Sequence, residues 1–154
     1  MAAATRYVAV VGPGEATHAQ LDAALEIGRG LALAGATVVT GGLGGVMAAA
    51  SRGAATAGGV TVGLLPSGDR TTANPWLTIS VPTGLGELRN GLVVRSADAV
   101  IAVGGAYGTL SEVALALKTM VPVVGLATWE IEGIEAVRSP AAAVARALEL
   151  ARRR

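Results

Sequence analysis

The segment Ala99-Val-Ile-Ala-Val-Gly-Gly-Ala-Tyr-Gly-Thr109 holds the features from which the fold is predicted. Its first five residues form a continuous apolar run of strand length, which is typical of a strand buried on both faces. Gly104–Gly108 is rich in the residue that permits tight turns and close approach of the backbone. Apolar residues then recur at helical spacing over Thr109–Thr119. The segment is therefore predicted to be a buried strand, a glycine turn and a helix.

The same unit recurs along the chain. Apolar runs alternate with helical patterns, and this predicts a parallel sheet that is covered on both faces and, with right-handed crossovers, doubly wound. The fold class is predicted as α/β: a single Rossmann-like domain over residues 1–154 with a mainly parallel sheet of about six or seven strands. The predicted strands are Tyr7–Gly12, Thr37–Thr40, Val60–Leu65, Leu77–Val81, Ala99–Val103 and Val121–Leu126, and the predicted helices are Thr17–Ala34, a helix from the Gly41–Gly45 turn to about Ala57, Leu85–Ala97, Thr109–Thr119 and one that begins at Ser139-Pro140.

The composition excludes several classes of chemistry. No cysteine occurs in the 154 residues, so disulfides, thiolate metal sites and cysteine nucleophiles are absent, which fits a reducing cytoplasm. The formal net charge of +1 is too small to indicate binding to nucleic acid or to a membrane. No apolar run is long enough to span a membrane. We expect a cytoplasmic protein whose partner is a small molecule, with no nucleic-acid, membrane or metal partner.

Three glycine-rich loops follow predicted strands. In doubly wound sheets, ligands bind at the carboxyl ends of the strands, where the strand order reverses. Gly104–Thr109 leads into a helix whose first amides are unpaired and partly positive, so it predicts a phosphate site; the alternative is a tight turn without a ligand. Gly41–Met47 has the same context but lacks the Gly-Lys-Ser/Thr of a Walker loop, and close helix–strand packing explains its glycines equally well. Gly12–Glu15 is the third loop.

Three side chains call for separate hypotheses. Thr109-x-x-Glu112 fits a capping box, in which Glu112 accepts a hydrogen bond from the Thr109 amide. The alternative is a carboxylate beside the phosphate turn, facing a sugar or activating a water. Arg89 lies on a predicted helix, where an arginine is usually solvated. His18, the single histidine, is expected to be exposed and without a catalytic role.

Three segments together resemble the LOG (Lonely Guy) superfamily. They are Gly41-Gly-x-x-Gly45-x-Met47, then Pro82-Thr-Gly-Leu-Gly-Glu-Leu-Arg89-Asn90, then Asp98 through Gly-Gly-Ala-Tyr-Gly-Thr-Leu-Ser-Glu112. Within the superfamily, the chain most resembles proteins related to DNA-processing protein A and the molybdenum cofactor carrier proteins. The label lysine decarboxylase, used for parts of the superfamily, does not fit, because the sequence has no pyridoxal-binding signature and its single lysine is Lys118.

The resemblance implies an activity and roles for residues. LOG enzymes are phosphoribohydrolases, which cleave the N-glycosidic bond of a nucleoside 5′-monophosphate to give a free base and ribose 5-phosphate. Arg89 and Glu112 would be catalytic. The chain departs from the superfamily hallmark at Gly104, Ala106 and Asn90, where a proline, a glycine and a lysine are usual. The residues predicted to bind the phosphate or the rest of the ligand are Gly12, Gly14, Gly41, Gly42, Gly45, Met47, Arg89, Asn90, Gly104, Gly105, Ala106, Tyr107, Gly108 and Thr109.

Two functions are consistent with these residues. The first is a binding or carrier protein for a phosphorylated, nucleotide-like molecule such as molybdenum cofactor or a nucleoside monophosphate, with no further cofactor required. The alternative is a phosphoribohydrolase of the LOG type. The departures lie next to the expected reacting centre and favour binding without turnover. Apolar helix faces over 85–97 and 110–117, together with the resemblance, predict a homodimer or homotetramer.

Overall fold

All seven strands run parallel in one sheet, in a computed structural model that describes residues 4–151. Helices cover both faces, so the predicted α/β Rossmann-like fold is confirmed. The predicted domain, residues 1–154, includes 1–3 and 152–154, which lie outside the described residues. The strands are β1 (Tyr7–Val11), β2 (Thr37–Thr40), β3 (Thr61–Leu65), β4 (Ile79–Pro82), β5 (Ala99–Val103), β6 (Val123–Leu126) and β7 (Ile134–Val137), and the helices are α1 (His18–Leu33), α2 (Val46–Thr56), α3 (Arg89–Arg95), α4 (Tyr107–Lys118) and α5 (Pro140–Ala151).

The strand order is β4-β3-β2-β1-β5-β6-β7. The chain builds the sheet outward from β1 to β4, then returns to place β5 beside β1 and builds outward in the other direction. β1 and β5 pair in register, with Val10 opposite Ile101. The order therefore reverses between β1 and β5, and a crevice forms at their carboxyl ends, which is the usual ligand position in this fold.

The core lies on both sides of the sheet. Val8 and Val10 of β1 point into one apolar cluster with buried residues of α1, α2 and α5. Ala9 and Val11 point into a second cluster with residues of α3 and α4. Each of these side chains is fully or almost fully buried, and burying a valine side chain stabilises a fold by about 1.5–3 kcal/mol. The sheet is thus held rigidly between two helical layers.

Helices α1 and α2 pack backbone against backbone. A Cβ atom on Gly28 of α1 would lie 1.9 Å from the carbonyl oxygen of Ala50, and one on Gly53 of α2 would lie 2.0 Å from that of Leu25. These distances are far below van der Waals contact, so any side chain at either position would force the helices apart. The small residues of both helices allow this contact.

Arg6 links two helices at the end of the sheet opposite the crevice, where the strands have their amino ends. Its guanidinium donates to the carbonyl oxygen of Ala34, which follows α1, at 3.1 Å, and to that of Leu148, in the last turns of α5, at 3.5 Å. One side chain therefore joins the C-terminal ends of two helices to the start of β1.

Two elements differ from the sequence-based prediction. β7 was not among the individually predicted strands, because this edge strand is half-buried to exposed along its length and lacks a continuous apolar run. The predicted helix over Leu85–Ala97 is a 3₁₀ turn, Gly86–Leu88, followed by α3 from Arg89. Gly86 has φ of +58°, which an α-helix does not allow. Within residues 4–151, no helix has the length and hydropathy needed to cross a membrane, and the cytoplasmic location stays a prediction.

Candidate functional site

The three glycine-rich loops meet at the crevice. Gly12 follows β1, and a Cβ atom there would lie 2.5 Å from the carbonyl oxygen of Val103, at the end of β5. A Cβ on Gly45 would lie 2.3 Å from the carbonyl oxygens of both Pro13 and Gly14. Only glycine allows the loops after β1, β2 and β5 to approach this closely.

Two helices begin at this point without side-chain caps. The N-cap residues are Gly45 for α2 and Ala106 for α4, and neither helix start has a side-chain cap hydrogen bond. The first amides of a helix have no partner within it and carry a partial positive charge. Pro13 accepts from the Val46 amide of α2, at 3.1 Å. The first turn of α4 therefore presents the more open set of donors.

A cavity of about 190 Å³ lies over these helix starts. It brings together nine of the residues predicted from the sequence, and it adds Pro13. Gly41 lies next to the lining and accepts a hydrogen bond from Arg89. Five predicted residues, which are Gly42, Gly45, Gly104, Gly105 and Tyr107, are not in this lining. The lining is Gly12, Pro13, Gly14, Met47, Arg89, Asn90, Ala106, Gly108, Thr109 and Glu112.

Four of those five have glycine for a packing reason, and the fifth is exposed. At Gly42 a Cβ would meet the Leu65 side chain, and at Gly45 it would meet the carbonyl oxygens of Pro13 and Gly14. At Gly104 it would meet the side-chain amide of Gln20, and at Gly105 the Trp129 indole. The Tyr107 side chain is 85% exposed. These residues shape the walls behind the cavity or stand at its rim.

Arg89 is buried, so the expectation of a solvated arginine is wrong. It is the first residue of α3, and its side chain turns under the end of β2 instead of outward. The guanidinium donates from Nη2 to the Gly41 carbonyl oxygen at 3.2 Å and from Nη1 to the Asn90 side-chain oxygen. Its Nε has no hydrogen-bond partner among the described residues. One buried donor is thus left over at the cavity wall.

Glu112 is not a helix cap, and the predicted capping box with Thr109 is wrong. Gly104, with φ of +66°, and an extended Ala106 turn the chain so that α4 begins at Tyr107. Thr109 therefore lies inside the first turn, where it cannot act as the N-cap. Its hydroxyl oxygen is buried and has no partner among the described residues.

The Glu112 carboxylate faces the cavity beside Arg89. Its Oε1 lies 4.0 Å from Arg89 Nη1, at the limit of an ion pair, and both side chains are less than one tenth exposed. Burial raises the pKa of Glu112 to about 7, against the opposing effect of Arg89. Burial also lowers the pKa of Arg89, against the charges of Glu112 and Glu87. Burial thus outweighs the mutual attraction of the two charges, and Glu112 exchanges its proton near neutrality.

Two further residues support the site and were missed by sequence reasoning. Ser111 accepts from Asn90 Nδ2 at 3.0 Å and donates to the Gly108 carbonyl oxygen at 2.7 Å, which links α3 to the first turn of α4. Trp129 donates from its indole to the Ala106 carbonyl oxygen at 3.3 Å. Ser111 lies within the resembling segment and was open to notice. Trp129 comes from the loop after β6, and no local pattern connects it with the glycine turn.

The fold and site define a class of protein: a Rossmann-like α/β protein whose open helix N-termini and buried arginine suit an anionic ligand. The sequence matches the SLOG cluster4 family over residues 5–152, so the chain belongs to this family and the resemblance seen in the sequence is confirmed. Two of the solved structures that it resembles have related names. The molybdenum cofactor binding protein of Rippkaea orientalis is 37% identical with a TM-score of 0.89, over 96% of this chain and 98% of that one. The Moco carrier protein of Chlamydomonas reinhardtii is 35% identical with a TM-score of 0.89, over 98% of this chain and 100% of that one.

A third comparison corrects one prediction. DNA processing protein A from Helicobacter pylori, described by its single-stranded DNA binding mode, superposes with a TM-score of 0.75 over 94% of this chain and 80% of that one. Its identity of 21% shows a shared fold alone. The exclusion of nucleic acid as a partner, drawn from net charge, is therefore wrong: a protein of this fold binds single-stranded DNA, and net charge does not report the charge of one surface.

Proposed function

We propose that this protein binds a phosphorylated, nucleotide-like cofactor and holds it as a carrier, with the phosphate on the first turn of α4. The ligand class favoured by the similar structures is molybdenum cofactor, a pterin with a terminal phosphate. The resemblance to carrier proteins over nearly the whole chain supports this at the level of cofactor binding.

The observation that carries the proposal is a set of unpaired donors around one small cavity. No side chain caps the amides that begin α4, and the Nε of Arg89 and the hydroxyl of Thr109 have no hydrogen-bond partner among the described residues. Arg89 and Thr109 both line the cavity. A buried donor without a partner costs about 1–3 kcal/mol. A phosphate has acceptor oxygens for all three kinds of donor, and charge-assisted hydrogen bonds are the strong ones.

The residues present fit the phosphate end of such a ligand. Gly108 leaves the approach to α4 open, because a Cβ built on it meets no atom within 4 Å. The Glu112 carboxyl, with its pKa of about 7, can take a proton when the phosphate enters and so limit the repulsion between the two anions. The molybdenum and the pterin ring are cargo, and this chain's contribution is to bind the phosphate, orient the molecule and exclude water from the cavity.

One observation favours a second function, a phosphoribohydrolase. Helix capping does not account for Glu112, because α4 begins at Tyr107. Its side chain is instead buried beside Arg89 in the cavity. A carboxyl group there is placed to stabilise the positive charge that develops on a ribose as the N-glycosidic bond breaks. The assay is base release from a panel of nucleoside 5′-monophosphates, beginning with AMP. Release by the wild type and its loss in Glu112→Gln, with the variant folded and no less stable than the wild type, establishes the hydrolase.

Native mass spectrometry of freshly purified protein tests the carrier proposal. We expect added mass that dissociates as a phosphorylated molecule, with molybdenum in the elemental analysis. Gly108→Val places a branched side chain in the open approach and is expected to empty the protein. Gly91→Val is the matched control, because Gly91 also has open space around it but is not in the lining. Bare wild-type chain that takes up neither a phosphorylated pterin nor AMP overturns the proposal.

A further inference from the structure

A second cavity opens beside the glycine turn, at the carboxyl ends of β6 and β7. Its volume is about 490 Å³. The lining is mostly apolar, with Ile131, Ile134 and Val137 as its larger aliphatic side chains. Trp129 adds an aromatic ring to the lining, and Glu130 adds a charged group. The function proposed above uses none of these residues.

Trp129 joins this cavity to the phosphate cavity. Its indole donates to the carbonyl oxygen of Ala106, and Ala106 itself lines the phosphate cavity. Gly105 lies against the same indole nitrogen, because a Cβ there would lie 2.8 Å from it. The edge of the indole is thus held against the phosphate turn, while its side chain lines the larger cavity.

The other tryptophan shows that this arrangement is particular. Trp76 and Trp129 are equally exposed, at 37%. The Arg52 guanidinium lies over the Trp76 ring, 5.6 Å from its centre, so that indole already makes a cation–π contact. No such cation–π partner is present at Trp129 among the described residues. An aromatic surface free for stacking therefore adjoins the phosphate turn at Trp129 and not at Trp76.

We propose that the cavity between Trp129 and β7 receives the heterocyclic ring of the ligand whose phosphate lies on α4. This inference rests on the proposed function, which gives a position for the phosphate of the ligand, and it adds a position for the ring. Pockets for small molecules usually measure about 300–1,000 Å³, so the phosphate cavity, at about 190 Å³, is too small for a whole nucleotide-like molecule. The neighbouring cavity supplies the missing volume, an apolar wall and an aromatic ring for stacking.

Glu130 narrows the chemical class of the ring. It is the charged residue of the lining, and a carboxylate offers two acceptors and no donor when ionised. A pterin or guanine ring carries an N–H next to an amino group, and these two donors match a carboxylate side by side. Adenine places a ring acceptor next to its amino group, which a carboxylate repels. The cavity therefore favours a 2-amino-4-oxo-pyrimidine ring over adenine.

The cavity itself is tested with pterin alone, followed by the Trp129 indole signal in a nitrogen-15 spectrum, with Trp76→Phe used to assign it. We expect pterin to shift the Trp129 signal and leave the Trp76 signal in place. Ala136→Phe fills the cavity from an exposed position on β7 and is expected to abolish the shift without changing the melting temperature. An unchanged Trp129 signal overturns the inference, whatever the outcome at the phosphate site.

Calorimetry with phosphorylated probes then separates the two proposals. GMP is expected to bind about tenfold tighter than ribose 5-phosphate, and Ala136→Phe should reduce GMP to the affinity of ribose 5-phosphate, which itself stays unchanged. Glu130→Gln should remove most of the preference for GMP over AMP. Equal GMP binding by wild type and Ala136→Phe overturns the inference and leaves the proposed function standing. Capture of pterin without any binding of ribose 5-phosphate overturns the proposed phosphate site and leaves the ring cavity standing.

Discussion

Helices α1 and α4 begin at the same edge of the sheet, after the neighbouring strands β1 and β5, yet their first turns are finished in opposite ways. In α1, Thr17 accepts from the Gln20 amide at 3.2 Å while the Gln20 side chain accepts from the Thr17 amide at 3.0 Å. In α4, Ala106 holds the N-cap position and no side chain caps the helix.

The difference separates stability from binding. A cap such as Thr17 contributes about 1 kcal/mol because it satisfies an amide that has no helical partner. A capping box occupies the amides of Thr17 and Gln20, so fewer donors remain at this helix start for an anion. The start of α4 lacks the stabilisation of a cap, and its amide donors stay available beside Arg89 and Glu112. The start of α1 is therefore built for stability, and the start of α4 for binding an anion. Four substitutions test this contrast.

Ala106→Asp should convert the open start into a closed one. The extended conformation of Ala106, with φ of −131° and ψ of 177°, is already that of an N-cap. Two like charges about 4 Å apart repel by roughly 4 kcal/mol near a protein surface, so affinity for a phosphorylated ligand should fall about a thousandfold. Calorimetry measures this loss, and the melting temperature should rise. Unimpaired binding by this variant means that the phosphate does not lie on α4.

Glu112→Gln should change the dependence of stability on pH. The folded-state pKa of about 7 exceeds the ordinary value of 4.5, so the folded protein holds this proton more tightly than the unfolded chain. The stability that the folded protein gains from binding this proton is therefore greatest below about pH 4.5, falls as the pH rises to about 7, and is fully lost above that. Between pH 5 and 8 we expect a loss of about 2 kcal/mol in the wild type that is absent from the variant. Urea unfolding at both pH values measures it, and parallel profiles contradict the assignment.

Thr109→Val should separate folding from binding at a single buried hydroxyl. The hydroxyl has no partner among the described residues, so its removal without a change of shape should leave stability unchanged or raise it by about 1 kcal/mol. The ligand loses one hydrogen bond, and its affinity should fall about fivefold to tenfold. Thermal melts and calorimetry on the same samples give both numbers. A variant that is less stable yet binds normally assigns the hydroxyl a structural role.

Thr17→Ala should open the closed helix start without affecting the ligand. We expect the free energy of unfolding to fall by about 1 kcal/mol, measured by urea titration. Affinity for phosphorylated ligands should stay as in the wild type, because α1 does not contribute to the lining of the phosphate cavity. A clear loss of affinity would show that the two helix starts are coupled, through the contact between Gln20 and Gly104.

The capping boxes show how far local patterns predict this structure. Thr17-x-x-Gln20 and Thr109-x-x-Glu112 are equivalent as patterns, and the first is present while the second is not. The pattern depends on which residue starts the helix. At α4 that residue is set by the turn at Gly104, which has a positive φ. Gly104 lies against the Gln20 side chain and donates its amide to the Leu126 carbonyl oxygen at 3.1 Å, and both of these residues are far away in sequence.

The fold was predictable for a related reason. Buried parallel strands such as β1 and β5 are continuous apolar runs, and their alternation with helices is visible without any long-range information. The edge strand β7 has no such run. The burial of Arg89 arises from the path of the 3₁₀ turn at Gly86–Leu88, and Trp129 joins the site only because β6 lies beside β5. Local chemistry predicted the loops, whereas tertiary packing decided which side chains face them. The homo-oligomer stays a prediction.

The tie made by Arg6 has a practical consequence for handling the protein. Because every strand is parallel and α5 runs back across the sheet, residue 6 and the last turns of α5 lie together at the edge opposite the crevice. An affinity tag, a fluorescent label or a surface linker attached near either end of the described chain projects away from the ligand cavities. Immobilised protein can then be washed with candidate ligands while its binding face remains turned toward the solution.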